Sequence, residues 1–136
     1  MKRTKTPRNL AELVKAAQAA RLGAHAPYSG FKVGAALLTA EGLIVTGCNI
    51  ENASFGLTMC AERIAIFKAV SEGLHDFVAL AVVTNATRLT PPCGPCRQIA
   101  WEFCGDIVVH IENLKGRSLD RRVSELLPLP FDGKSF

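Results

Sequence analysis

Phe77-Val78-Ala79-Leu80-Ala81-Val82-Val83 is an unbroken apolar run between Asp76 and Thr84. A strand with one face in water alternates apolar and polar residues, so this run reads as a strand covered on both faces. The segments on either side read as the layers that cover it. Upstream, a helix is expected from about Met59 to Glu72, closed by Gly73. Its Ile64, Ala65, Phe67, Ala69 and Val70 leave it apolar on most sides, which implies burial. Downstream, Pro95 suits the first position of another helix. Ile107 to Ile111 gives a second apolar strand, and Ser118 to Arg122 a short polar one. Nearer the N-terminus, Val33 to Leu38 and Leu43 to Cys48 read as strands joined by a turn around Glu41-Gly42. Asn9-Leu10-Ala11-Glu12 resembles a capping box opening a helix with Leu10, Leu13, Ala17 and Ala20 on one stripe, stopped by Gly23. Strands interleaved with helices make an α/β domain in which helices cover a mixed sheet.

No repeat or linker divides the 136 residues, a length suited to one domain. With 49% hydrophobic and 21% charged residues the composition is globular. No apolar run reaches the length of a membrane span. The net charge of +4 has a local origin, because Lys2, Arg3, Lys5 and Arg8 are basic with no acid among them, and without them 12 basic residues face 12 acidic ones. Residues 1–8 therefore read as a flexible basic tail, and residues 9–131 as a nearly neutral body. A polynucleotide partner is disfavoured, since that would call for a basic face on the body itself. The N-terminus lacks the apolar stretch of a secretory signal, so a cytoplasmic location is expected. Five cysteines in such a chain argue against a disulfide framework. Cys48 and Cys104, in apolar surroundings, read as small buried hydrophobes.

The other three cysteines form the chemical signature. Cys60-Ala61-Glu62-Arg63 stands at an expected helix start, and Pro92-Cys93-Gly94-Pro95-Cys96-Arg97-Gln98 at the next. A structural zinc site is usually closed by four protein groups, whereas a catalytic one keeps a position open. Three cysteines and a carboxylate that is not needed as a ligand fit an open site. Cys93-x-x-Cys96 alone would serve structural zinc or redox chemistry equally well. A closed site would need Cys48, Cys104 or one of His25, His75 and His110, all outside both clusters. Helix N-termini favour thiolates through their unpaired N–H groups. Three thiolates on Zn²⁺ carry a net charge of −1, and Arg63 and Arg97, beside the clusters, are the candidates to compensate it. At a first helical turn Glu62 can converge with Cys60 on a point beyond the helix end, free to move protons.

These motifs, together with Ala26-Pro27-Tyr28-Ser29, Phe31-Lys32-Val33-Gly34-Ala35-Ala36, Gly47-Cys48-Asn49-Ile50-Glu51-Asn52-Ala53 and Glu125-Leu126-Leu127-Pro128, make the chain resemble the small, homotetrameric type of cytidine deaminase from about Ala24 to Phe131. The resemblance implies a three-layer α/β/α fold around a mixed sheet of about five strands. It implies one Zn²⁺ per subunit on Cys60, Cys93 and Cys96, with Glu62 as the proton carrier. The implied activity is hydrolytic deamination of cytidine and 2′-deoxycytidine for pyrimidine salvage. Asn49 and Glu51, two apart and so on one face of a continued strand, are implied to grip the sugar 3′-hydroxyl. Phe31 and Phe131 are implied to flank the pyrimidine, Phe131 from a neighbouring subunit, and the Ala61 N–H to meet its carbonyl. Phe55 departs from the Tyr of many members, and residues 1–8 and 132–136 fall outside the match. The alternatives are a deaminase of another cytosine-bearing molecule of the blasticidin type, an editor of cytosine in nucleic acid, and a non-enzymatic zinc module.

Overall fold

The computed structural model describes residues 10–135. The basic residues 1–8, Asn9 of the capping box and Phe136 lie outside the described residues. The chain runs through α1 (Leu10–Arg21), β1 (Val33–Thr39), β2 (Ile44–Cys48), α2 (Ala61–Ser71), β3 (Phe77–Thr84), α3 (Gly94–Cys104), β4 (Val108–Asn113), β5 (Ser118–Arg122) and α4 (Val123–Leu126). The five strands form one sheet in the order β2-β1-β3-β4-β5. Only β3 and β4 are parallel, which is why α3 must cross between them.

Side chains alternate across the sheet with period two, and this sorts them into two cores. Ala35 and Leu37 of β1, Leu80 and Val82 of β3, and Val109 and Ile111 of β4 share a cluster with Ala61, Ala65 and Ile66 of α2 and Ala100 of α3. Ala36 and Leu38 of β1 and Ala79, Ala81 and Val83 of β3 point the other way, against Leu13, Val14 and Ala17 of α1. The result is the three-layer α/β/α arrangement, with β3 at its centre. The layers lie close. A side chain at Gly34 of β1 would meet the Ala17 carbonyl of α1 at 1.9 Å, so the helix rests directly on the strand because residue 34 has none.

Three differences from the sequence pattern have physical causes. The helix expected from Met59 begins at Ala61, because Met59 and Ile50 exchange backbone hydrogen bonds of 2.9 Å and keep the chain extended up to Cys60. Helix α2 is not buried all round, since Phe67 and Val70 are each 37% exposed on its outer side. There Phe67 meets Phe103 of α3 edge to face at 6.1 Å. Within β3, Leu38 pairs with Ala79 but Thr39 with Phe77, so Val78 has no opposite residue and turns outward, 40% exposed. The single turn α4 carries no periodic signal, and Gly133–Ser135 forms one further 3₁₀ turn. Among the described residues no helix is long and apolar enough to cross a membrane.

Candidate metal centre and active-site pocket

Two helix N-termini meet at the carboxyl end of β3. Cys60 caps α2 in extended conformation (φ −76°, ψ 154°), and Cys93 caps α3 in the same way (φ −69°, ψ 171°). Cys96 follows in the first turn of α3, buried. The sulfurs of Cys60 and Cys93 are 3.7 Å apart and those of Cys93 and Cys96 3.4 Å. All three lie within 4.8 Å of one another. A tetrahedral ion with bonds of about 2.3 Å needs sulfurs about 3.8 Å apart, so the cluster fits Zn²⁺ with small adjustments. Among the described residues it is the one cluster of metal-ligating groups that gathers three. The three histidines stand outside it: His25 exchanges backbone hydrogen bonds with Asn49 and Glu51, His75 pairs with Asp76, and His110 lies between Glu112 and Asp120.

The electrostatics favour thiolate at Cys60. A hydrogen bond from Cys96, then donors from Arg63 and Cys93, bring the Cys60 thiol down to about 5 against the opposing effect of burial. The Arg63 guanidinium places Nη2 3.3 Å from Cys60 Sγ. Cys96 moves up, first because it is the donor to Cys60 and then because it is buried. Cys104, which lies outside the cluster, is pushed up to about 12 by burial alone.

Glu62 lies in the first turn of α2, 5% exposed. Burial pushes its carboxyl up to about 7, and the charge of Cys60 adds to the effect against its own backbone N–H. A carboxyl near 7 can both take and give a proton at neutral pH. With Cys60 and Cys93 it lines a cavity of ≈ 190 Å³ whose other walls include Phe31, Val33, Asn49, Thr58, Ala61 and Thr84. A neighbouring basin of ≈ 390 Å³ is lined by Tyr28, Ser29, Glu51, Phe55 and Thr58. Thr58 belongs to both. Together they fall within the range of about 300–1,000 Å³ usual for small-molecule sites.

The remaining predicted residues divide. Phe31, 38% exposed, and the N-terminal Ala61 of α2 both line the first cavity. Asn49 is buried there, its Oδ1 accepting from the Val33 N–H and its Nδ2 donating to the Phe31 carbonyl, each at 2.8 Å. Glu51 sits in the second basin, where Oε1 accepts the N–H groups of Tyr28 (2.9 Å) and Ser29 (3.0 Å) and Oε2 the Ser29 hydroxyl. The Ser29 hydroxyl, ahead of the backbone donors, holds this carboxyl below its usual range. Asn49 and Glu51 thus fix the loop that presents Phe31, from two adjoining chambers. Phe131 is 59% exposed and is not among the residues lining either cavity.

Arg97 is placed differently from Arg63. Its guanidinium donates to the carbonyls of Pro92 and Leu126, each at 2.7 Å, and so ties α3 to the end of α4. At the fourth helical position it is one residue further along than Arg63, which at the third reaches back to its capping sulfur. Its neighbour Gln98 holds the backbone of Phe131 at both N–H and carbonyl, a role the sequence does not announce. Thr58 was equally unmarked, since a lone threonine in a loop carries no pattern.

Comparison with known proteins bears on this geometry. A family model described as "Cytidine and deoxycytidylate deaminase zinc-binding region" matches residues 7–111. A cytidine deaminase of Halalkalibacterium halodurans is 56% identical over 120 residues, 88% of this chain and 91% of that one. One of Sporosarcina psychrophila is 50% identical over 121 residues, covering 88% of this chain and 89% of its own. The 1.6 Å crystal structure of cytidine deaminase from Burkholderia pseudomallei superposes with a TM-score of 0.87 at 45% identity, covering 89% of this chain and 98% of that one.

Proposed function

The chain belongs to the cytidine and deoxycytidylate deaminase family, and from that premise we propose that it hydrolyses cytidine and 2′-deoxycytidine to uridine and 2′-deoxyuridine, releasing ammonia. The observation that carries this is the convergence of three cysteines, two of which line one cavity together with a buried carboxyl that stands outside the cluster. Cys60, Cys93 and Cys96 hold the Zn²⁺, one per chain. When bound there, the ion supplies a water acidified to near neutral pH and a Lewis acid for the developing oxygen charge.

The chain's own groups do the rest. Glu62 accepts a proton from the attacking water as its oxygen bonds to C4 of the ring, and delivers that proton to ring N3. It then carries the hydroxyl proton to the exocyclic amine, so that the C4–N bond breaks and ammonia leaves. Arg63 offsets the thiolate charge. The Ala61 N–H, at a helix start with no intrahelical acceptor, suits the pyrimidine carbonyl. Phe31 offers a face to the ring, and Asn49 and Glu51 lie where the sugar would extend.

Neither cavity lining includes Lys, Arg or His. A nucleotide's phosphate would find no basic residue in either lining, so nucleosides are the substrates of this reading. Ammonia release from cytidine, cytidine 5′-monophosphate and free cytosine tests it. Turnover of cytidine alone is expected, and equal turnover of the monophosphate would contradict it.

The working form of this reading is a homotetramer in which Phe131 serves a neighbouring subunit's pocket. Its position outside its own cavity supports that arrangement. All five cysteines are unpaired, as suits a reducing compartment, and the reading places the activity in cytoplasmic pyrimidine salvage.

A further inference from the structure

Val45, Gly47 and Asn49 fall on the same face of the chain leading out of β2, two residues apart. Val45 enters the core beneath α2, and Asn49 lines the cavity beside Glu62. Gly47, between them, lies under the first turn of α2. A Cβ there would stand 2.5 Å from the Ala61 carbonyl oxygen, 2.6 Å from the Ala65 nitrogen and 3.1 Å from Ile64 Cβ. Ordinary contact begins at 3.4 Å, so the first two, both backbone atoms, fall short by nearly an ångström. Ala61 and Ala65 are the i and i+4 residues of the first α-helical turn. That turn carries Cys60, Ala61 and Glu62. Its backbone cannot give way without moving them.

We propose that Gly47 is a positioning residue whose missing side chain sets the distance between the two walls of the pocket. One wall is the β2 side, with Asn49 and the loop that it fixes around Phe31. The other is the start of α2, with a metal ligand, a backbone donor and the proton carrier. Any side chain at residue 47 lifts the second wall from the first. The role deepens the deaminase reading and rests on it.

The test compares Gly47→Ala with Ala81→Val in the full-length, metal-loaded protein. Ala81 is fully buried on the opposite face of the sheet, in the α1 core, so the second variant crowds the fold away from the site. Displacement of catalytic groups by about 1 Å can cost about 100-fold, and Gly47→Ala is expected to lose that much, chiefly in kcat. A readout independent of turnover is the visible spectrum of the Co²⁺-substituted proteins, whose thiolate and ligand-field bands report the metal geometry. These bands are expected to shift in Gly47→Ala and to match wild type in Ala81→Val, which should lose stability but keep kcat. A folded Gly47→Ala protein with wild-type kcat and Co²⁺ spectrum would overturn the proposal, as would an equal loss of kcat in Ala81→Val. If Gly47→Ala does not fold even with a stabilising osmolyte, residue 47 belongs to the fold and the positioning role is likewise overturned. Failure of the wild-type protein to turn over cytidine would instead strike the deaminase reading, while the Co²⁺ spectra would still report on Gly47.

Discussion

Arg63 places its guanidinium 3.3 Å from Cys60 Sγ and brings a positive charge to a cluster of three thiols. Partners of this kind around a metal site commonly change its affinity 10–100-fold. Arg63→Gln is therefore expected to weaken Zn²⁺ binding by about that factor, read by competition with a chromogenic chelator; unchanged affinity would show the contact to be incidental. The sequence treats Arg63 and Arg97 alike, each beside a cysteine, and could not separate them. The difference lies in helical phase, because residue 63 reaches back over its capping sulfur while residue 97 reaches sideways to two carbonyls. The cysteines and Glu62 were legible because spacing at helix starts carries them. Glu51 shows the limit: its place in the motif is readable, but the turn that it caps depends on a loop more than twenty residues away.

At the scale of elements, the site exists because α2 and α3 open at the same end of the sheet, where β3 and β4 run parallel. A second junction holds the far side of α3 to α4. Partial burial works to raise the Asp106 carboxyl, but donors from the Ser124 N–H (2.7 Å), the Ser124 hydroxyl (2.9 Å) and Arg122 (3.1 Å) outweigh it and hold the group below its ordinary value. A carboxyl lowered in the folded state contributes stability above its unfolded value, and that contribution is lost as pH falls through the folded one. Unfolding measured from pH 5 downward is expected to show this acid loss, and Asp106→Asn to flatten it. An unaltered acid limb would remove Asp106 from the account. None of this junction is visible in the sequence, where α4 is a single turn without periodicity. The strands were readable because β1 and β3 are apolar on both faces, but the outward turn of Val78 arises from a register shift against β1, a property of the pair.

For the whole molecule, the outer side of α2 and α3 leaves Phe67, Val70 and Phe103 between 37% and 41% exposed, although the sequence pattern alone assigns Phe67 and Val70 to the interior. Apolar residues clustered at a surface mark contact sites more often than isolated ones do. Light scattering is expected to give the mass of four chains, and a single-chain mass at micromolar concentration would contradict the proposed assembly. The layered fold was legible from the order of elements. The outward aromatic side was not, since a helix apolar all round looks the same whether its last face meets its own domain or another copy. At the centre of the account stands a division of labour in which three cysteines hold the metal and Glu62 moves the protons. The most direct measurement is zinc content and ammonia release from cytidine for Glu62→Ala beside the unmodified protein. The expected result is one zinc per chain and an intact fold, with turnover lowered by about 10²–10⁴-fold or more. A folded, zinc-loaded Glu62→Ala protein that deaminates cytidine at the unmodified rate would contradict it.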